Sequence, residues 1–290
     1  MDKTFPASIN ESNSLKTIYK GYKEKKKSII VEQKGAELKR WISFITDKLG
    51  IPYTPPTRNE VRFQNVGYIS QGMLIATSTK PLNEESVRIL ERFAAVFEQT
   101  YTRFLDLQKA EAQAREAQIE AALERVRARS MAMHKSEELL DVISVVSQQL
   151  QLLEFKFVHV SFVNNDDSQE YKFWTAAKGL SKPTRFTTPY TGIAVFNNLR
   201  AAIKKPLEFC ADIIDKKEHG LWHKHLLKHG GNKVFSEEDN KFIMSRGMAR
   251  SMAINPNIIL IVANYASIPY SESDNKIIAR FGQVFEQSYT

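Results

Sequence analysis

From Glu84 to Leu153 the chain runs without a proline, and its apolar residues recur at helical spacing for most of that stretch. Leu107, Ala110, Ala114, Ala117, Ala121, Ala128 and Met131 follow alternating steps of three and four, with Glu124 the one polar position among them. That is a heptad, and its alanines would let two helices approach closely. A second stripe, Ile119, Leu123, Val126 and Met133, takes over toward the C-terminal half. The expected seam therefore drifts between faces, as a packing mismatch or stutter would make it do. The pattern breaks near His134–Ser136 and resumes over Ser136–Leu153, where Leu139, Leu140, Ile143, Val146, Leu150 and Leu153 share one helical face.

Beyond Leu153 the period shortens. FKFVHVSFV and EYKFWTA read as strands across the polar turn NNDDSQ, with a further strand around Arg185–Thr187. Asn197–Lys204 reads as a short helix stopped by Pro206, LEFCADII as a strand, and Glu218–Lys228 as a helix ending at Gly230-Gly231. ARSMAI and IILIVANYA flank Asn255-Pro256-Asn257 and predict a hairpin, followed by a final helix. Upstream of the long helix come SIIVEQ, a helix over Glu37–Lys48, and the strands VRFQNVGYI and GMLIATS. Asn83 is placed to cap the long helix, with Glu84 and Glu85 suited to its positive end and Leu82 able to staple to Val87. Hairpins and helices around a mainly antiparallel sheet predict an α+β protein.

The chain also repeats itself. KPLNEESVRILERFAAVFEQTYT at 80–102 returns as IPYSESDNKIIARFGQVFEQSYT at 268–290, 188 positions later. Further upstream the register is 181, with Trp41 on Trp222, so the second copy holds about seven extra residues before the shared helix. Phe5-Pro6 then falls near Thr188-Pro189, and the second copy has a further half-module, from about Ser136 to Phe186, that the first lacks. The first copy thus starts mid-module. Either the chain is a piece of a longer array or its first module is a reduced variant. The first copy's closing helix runs on through Arg103, which favours the piece. The expected domains are a partial module at 1–103, a coiled-coil linker at 104–135 and a full module at 136–290.

Composition narrows the reading. At 290 residues and 42% apolar content, two packed domains are expected. The single cysteine, Cys210, excludes an internal disulfide, and no apolar signal segment opens the chain, so we expect a cytoplasmic protein with no membrane span. A net charge of +8 invites a nucleic-acid reading. Its obvious source is Lys20, Lys23 and Lys25–Lys27, interleaved with Tyr19 and Tyr22. Glu24 interrupts that cluster and a strand follows at once, so it reads as a solvated helix end and no nucleic-acid partner is expected.

The string RFLDLQKAEAQAREAQIEAALERVRARSMAMHKSEELLDV resembles the connector between GAF-like sensor modules of large bacterial signal-transduction proteins. The likeness is specific over residues 92–142, and the ELKRW and VFEQTYTRF segments fit it as well. The resemblance implies two GAF-like modules, the first incomplete, each an antiparallel sheet with flanking helices. It also implies dimerisation through the linker and a signal passed along a helix to a kinase, cyclase or response-regulator output domain. This chain departs from such proteins in lacking a kinase ATP-binding glycine box and a cyclic-nucleotide signature. His134, in AMHKSEELL, also lacks the proline-containing surroundings of a phosphoacceptor.

Local chemistry is sparse. In EHGLWHKHLLKH, His219 and His223 stand four apart, as do His225 and His229, which could serve a metal; with no third ligand at a clear position they read as surface histidines. Cys210 reads as a buried, inert strand thiol rather than an attachment point. GYISQG is misspaced for a nucleophile elbow, the glycines after His229 suit a helix C-cap, and neither HExxH nor a P-loop occurs. Trp174, Phe186, Tyr190, Phe196 and Trp222 are the best candidates for lining a pocket, although aromatics so placed are commonly core. Ligand and cofactor stay unknown. The expectation is a non-enzymatic sensory relay acting as a homodimer; the alternative is a small-molecule-binding protein whose helix is a passive spacer.

Overall fold

The structure is a computed structural model that describes residues 8, 10, 12–48, 50, 53, 60–166, 169–177, 182–204, 208–229 and 236–289. Phe5-Pro6, Pro206, Gly230-Gly231 and Thr290 lie outside them, as does part of the NNDDSQ turn. The chain divides into two compact units, Met1–Ala112 and Gln113–Thr290, and the division falls within one helix.

The first unit opens with α1 (Asn13–Lys23), whose first turn is capped by Ser12 Oγ accepting from the Leu15 amide. The lysine cluster is the end of this helix and the turn after it. Strand β1 (Ser28–Lys34) leads to α2 (Gly35–Ser43), which relaxes into a π-turn over Phe44–Lys48. The hairpin β2 (Val61–Ile69) and β3 (Gly72–Ser78) completes a three-stranded antiparallel sheet in the order β1-β2-β3. Then comes α3 (Glu84–Met131), begun by Asn83 Oδ1 accepting from the Ser86 amide at 2.8 Å. Leu90 and Ala94 are its buried residues over the sheet.

The second unit holds a 3₁₀ turn (Ser136–Glu138), α4 (Leu139–Leu152), and strands β4 (His159–Asn164), β5 (Glu170–Ala177) and β6 (Thr184–Pro189). After these come α5 (Ala194–Ile203), β7 (Phe209–Ile214), α6 (Lys216–Lys228), α7 (Glu237–Met244), β8 (Met248–Ile254), β9 (Ile258–Asn264) and α8 (Glu272–Tyr289). Six strands pair antiparallel in the order β6-β5-β4-β9-β8-β7. Residues 119–126 of α3, with α4 and α8, bury an aliphatic layer on one face, where Phe162 stacks on Phe285 at 4.2 Å. Helices α5 and α6 cover the other face around Phe196, Leu199 and Trp222. There a buried ion pair joins directly opposed residues of β7 and β8: Arg250 Nε donates to Asp212 Oδ1 at 2.9 Å and Nη2 to Oδ2 at 2.5 Å. Nη2 also donates to the Val195 carbonyl of α5, so the pair fastens that helix to the sheet. No helix among the described residues is long and apolar enough to cross a membrane.

Six elements of the first unit recur in order in the second, with α7 inserted, and four of them keep the spacings read from the sequence. α1, β1 and α2 begin at 13, 28 and 35, and α5, β7 and α6 begin at 194, 209 and 216, each 181 later. α3 and α8 begin at 84 and 272, 188 later. The helix-on-sheet contact repeats too, with its residues exchanged. In the first unit Gly67 of β2 faces Ala94, and a Cβ on the glycine would sit 3.1 Å from the alanine's. In the second unit the alanine is on the strand, Ala253, and the glycine is on the helix; a Cβ at Gly282 would lie 2.7 Å from Ala253 Cβ and 2.7 Å from Asn255 Nδ2. One methyl group fits between helix and strand, and two do not.

This geometry predicts the sign of a common stabilising change. Gly→Ala in a helix is ordinarily favourable by about 1 kcal/mol, but here the methyl overpacks a close contact, at a cost of about 1–3 kcal/mol. Gly282→Ala should lower the denaturant midpoint, and Ala253→Gly should recover part of the loss in the double variant. Additive losses in the double-mutant cycle would show that the two sites are independent.

Candidate functional site

Two faces of α3 have different fates. Leu107, Ala110, Ala114, Ala117, Ala121, Ala128 and Met131 are all exposed in the single chain. Successive helical residues turn by about 100°, so Ile119, Leu123 and Val126 lie roughly opposite, and these are buried against α4 and α8. Met133 is partly buried against the same layer. The second stripe is therefore domain core. It does not continue the seam, and the expected drift between faces is corrected: one face packs at home while the other stays bare. Polar ties hold this part of α3 in place. Arg115 Nη2 donates to the Leu153 carbonyl at 2.8 Å, Arg125 Nη1 to Gln149 Oε1 at 2.9 Å, and Arg280 of α8 reaches Glu116 at 2.9 Å and Glu120 at 2.6 Å.

Four of the five candidate pocket aromatics come together on the α5/α6 side of the sheet. Phe196 meets Trp222 edge-on at 5.2 Å and Tyr190 at 5.9 Å; Phe186 stacks at 4.8 Å on Phe173, which lies 5.6 Å from Trp222. Trp174 is not among them. It follows Phe173 in β5, so the alternation of a strand turns it to the opposite face, where its indole N–H has no hydrogen-bond partner. Phe173 and Tyr171 belong to the cluster instead, with Tyr171 stacked 5.0 Å from Phe196. Counting in twos along EYKFWTA would have picked them out. The cluster packs as core, ring against ring. Cys210, half-buried with a free thiol, packs beside it from β7.

The histidine reading also needs correction. His219 and His223 are buried. The Nδ1–H of His219 donates to the Arg246 carbonyl at 2.8 Å, and His223 Nε2 donates to Asn240 Oδ1 of α7 at 2.7 Å. Each thus ties α6 to the segment over it, which is why the spacing of four serves packing. The His219 ring lies 4.7 Å from Tyr265, whose hydroxyl is 3.3 Å from His159 Nδ1. His225 Nε2 donates to the Pro189 carbonyl at 3.2 Å, and its ring lies 4.5 Å from that of His229. Among the described residues no group of three or more His, Cys, Asp or Glu side chains could hold a metal ion.

A cleft of about 980 Å³ opens elsewhere on the second unit. Arg115, Lys156 and Arg246 supply cations to its lining, Phe242 an apolar wall, and Tyr265 and Tyr270 phenolic groups. Tyr270 donates to the Lys156 carbonyl at 3.0 Å, and burial pushes its pKa up to about 12, so it stays a neutral donor. Nothing in the sequence pointed here. The lining comes from loops and segment ends without periodicity, and from α7, a helix of eight residues that was not anticipated.

No family model and no curated protein matches this chain. What the site can do therefore rests on its geometry alone.

The half-buried His159 and the buried His219 and His223 predict an acid-sensitive fold. Burial, helped by the nearby His219 and Arg250, lowers the pKa of His159 to about 3 from 6.5; His219 and His223 shift down as well, burial being the first cause in each. Between those two values the unfolded chain binds more protons than the folded one, so stability is complete above the unfolded value and is lost as pH falls below it. His159 alone can give a slope of about 1.4 kcal/mol per pH unit in that window. Urea unfolding at about pH 7 and about pH 5 should show a lower midpoint at the acid end, and His159→Gln should flatten the difference. Equal midpoints for the unaltered chain would remove the effect.

Proposed function

We propose that this chain is a sensory relay of the GAF-like kind: a non-enzymatic segment that works as a homodimer through α3 and passes a change in one unit along that helix to an output domain. The observation that carries the reading is the pair of faces on α3. An apolar, alanine-rich heptad is left bare, while the opposite face is built into the core of the second unit. A helix so placed feels any repacking of its own domain and presents the result to a partner helix. The six-stranded antiparallel sheet flanked by helices agrees with the architecture the resemblance implies. The second reading, a small-molecule-binding protein with the helix as spacer, is favoured by the cleft on the second unit, which Lys156, Arg246, Tyr265 and Tyr270 line.

Light scattering on the purified chain separates the two. The relay requires a dimer at micromolar concentration, and Ala117→Asp should yield a monomer of unchanged helix content, since Ala117 is exposed and the change costs the helix only about 0.7 kcal/mol. A monomer in both forms would leave the spacer reading.

A further inference from the structure

The internal repeat shows which contacts of the second unit the described residues of the first unit do not make. Phe93, Val96 and Phe97 of α3 correspond to Phe281, Val284 and Phe285 of α8, 188 positions on. In α8 these side chains are 0%, 6% and 0% exposed; in α3 they are 64%, 62% and 52% exposed. The strands beneath them differ in the same sense. Strand β9 pairs with β8 on one side and with β4 on the other, and every residue of it is buried. Strand β3 pairs only with β2 among the described residues, and Ile75, Ala76 and Thr77 are exposed. An open, apolar edge of this kind is a template for another strand, and the same unit presents a helix face with three bare large apolar side chains.

We propose that the β3 edge and the Phe93–Phe97 face form a docking site for one kind of occupant: a helix-and-strand half-module with the chemistry of the 3₁₀ turn, α4 and β4–β6. The second unit states that chemistry residue by residue. Strand β4 completes the ladder on β9, from His159 opposite Ala263 to Asn164 opposite Ile258. Phe162 of β4 stacks on Phe285, the counterpart of Phe97. Val142, Val146 and Leu150 of α4 share the buried layer with Phe281. The occupant therefore adds an antiparallel apolar strand to β3, with an aromatic ring where Phe97 waits, and lays an apolar helix face over Phe93. Binding of this type draws affinity from main-chain hydrogen bonds and specificity from the alternate side chains. The proposed dimer seam is left free, because it starts at Leu107, beyond this face.

The repeat register also supplies the test. Residue 193 corresponds to residue 12, so a copy of residues 113–192 joined to Ser12 in place of residues 1–11 presents the half-module to β3 as the second unit presents its own. Hydrogen exchange of the β3 amides, Gly72–Ser78, is compared with that in the unaltered chain. The proposal expects roughly tenfold or slower exchange in the grafted chain, and expects Phe97→Asp or Phe93→Asp, both at exposed positions, to restore the fast rate. A peptide of residues 157–166 added to the unaltered chain is a second probe that needs no graft; it should slow β3, and a scrambled peptide should not. Unchanged β3 exchange under both probes overturns the proposal. So does an unaltered chain whose β3 is already protected and is released by Phe97→Asp, since a second copy would then be the occupant. Ala117→Asp changes the seam without touching β3, so this proposal and the relay reading fail separately.

Discussion

One methyl group between a helix and the strand beneath it sets the spacing in both halves of this protein. Gly67 against Ala94, and Ala253 against Gly282, are the same contact with its partners exchanged. Interiors are packed too tightly for two Cβ atoms to share such a gap, so a gain on one side has to be matched by a loss on the other. The closeness brings the flanking residues of the helix down to sheet level. In the second unit Ile278, Phe281 and Phe285 are thereby buried, and the rest of the aliphatic layer is assembled on them.

Much of the fold was legible because strands and helices announce themselves by period. VRFQNVGYI and GMLIATS are β2 and β3 to the residue, and Asn83 caps α3 as its position suggested. The repeat offsets located equivalent elements because the two units keep the same spacing between element starts even where identities differ. Other features depend on what lies across a contact, which a linear pattern does not encode. Ile119 and Ala117 both look like interface residues on a long helix; only the presence of α4 and α8 decides which is core. His219 and His223 looked like surface groups until the Arg246 carbonyl and Asn240 were seen to accept from them. Trp174 lies apart from the other four candidate aromatics because strand alternation, and not aromatic content, decides which face a residue of β5 takes.

The Arg250–Asp212 pair has a different standing from the apolar layers. A buried ion pair adds little net stability over a well-packed apolar pair, yet losing one partner strands the other at a cost of about 3–5 kcal/mol. Its value here is positional. With Asn198 Nδ2 also donating to Asp212 and the Val195 carbonyl accepting from Arg250, α5 has one allowed seat on β7 and β8. The aromatic cluster between α5 and α6 inherits its ring geometry from that seat.

The three tryptophans are distributed as though for spectroscopy. Trp41 belongs to the first unit and stacks on Phe44 at 5.8 Å. Trp174 lies in the aliphatic layer of the second unit with its indole nitrogen unpartnered, and Trp222 sits among the rings on the far side of the same sheet. Each of these places thus carries a single tryptophan in its own surroundings. Emission from chains retaining one tryptophan at a time would report, without any label, which layer loosens first.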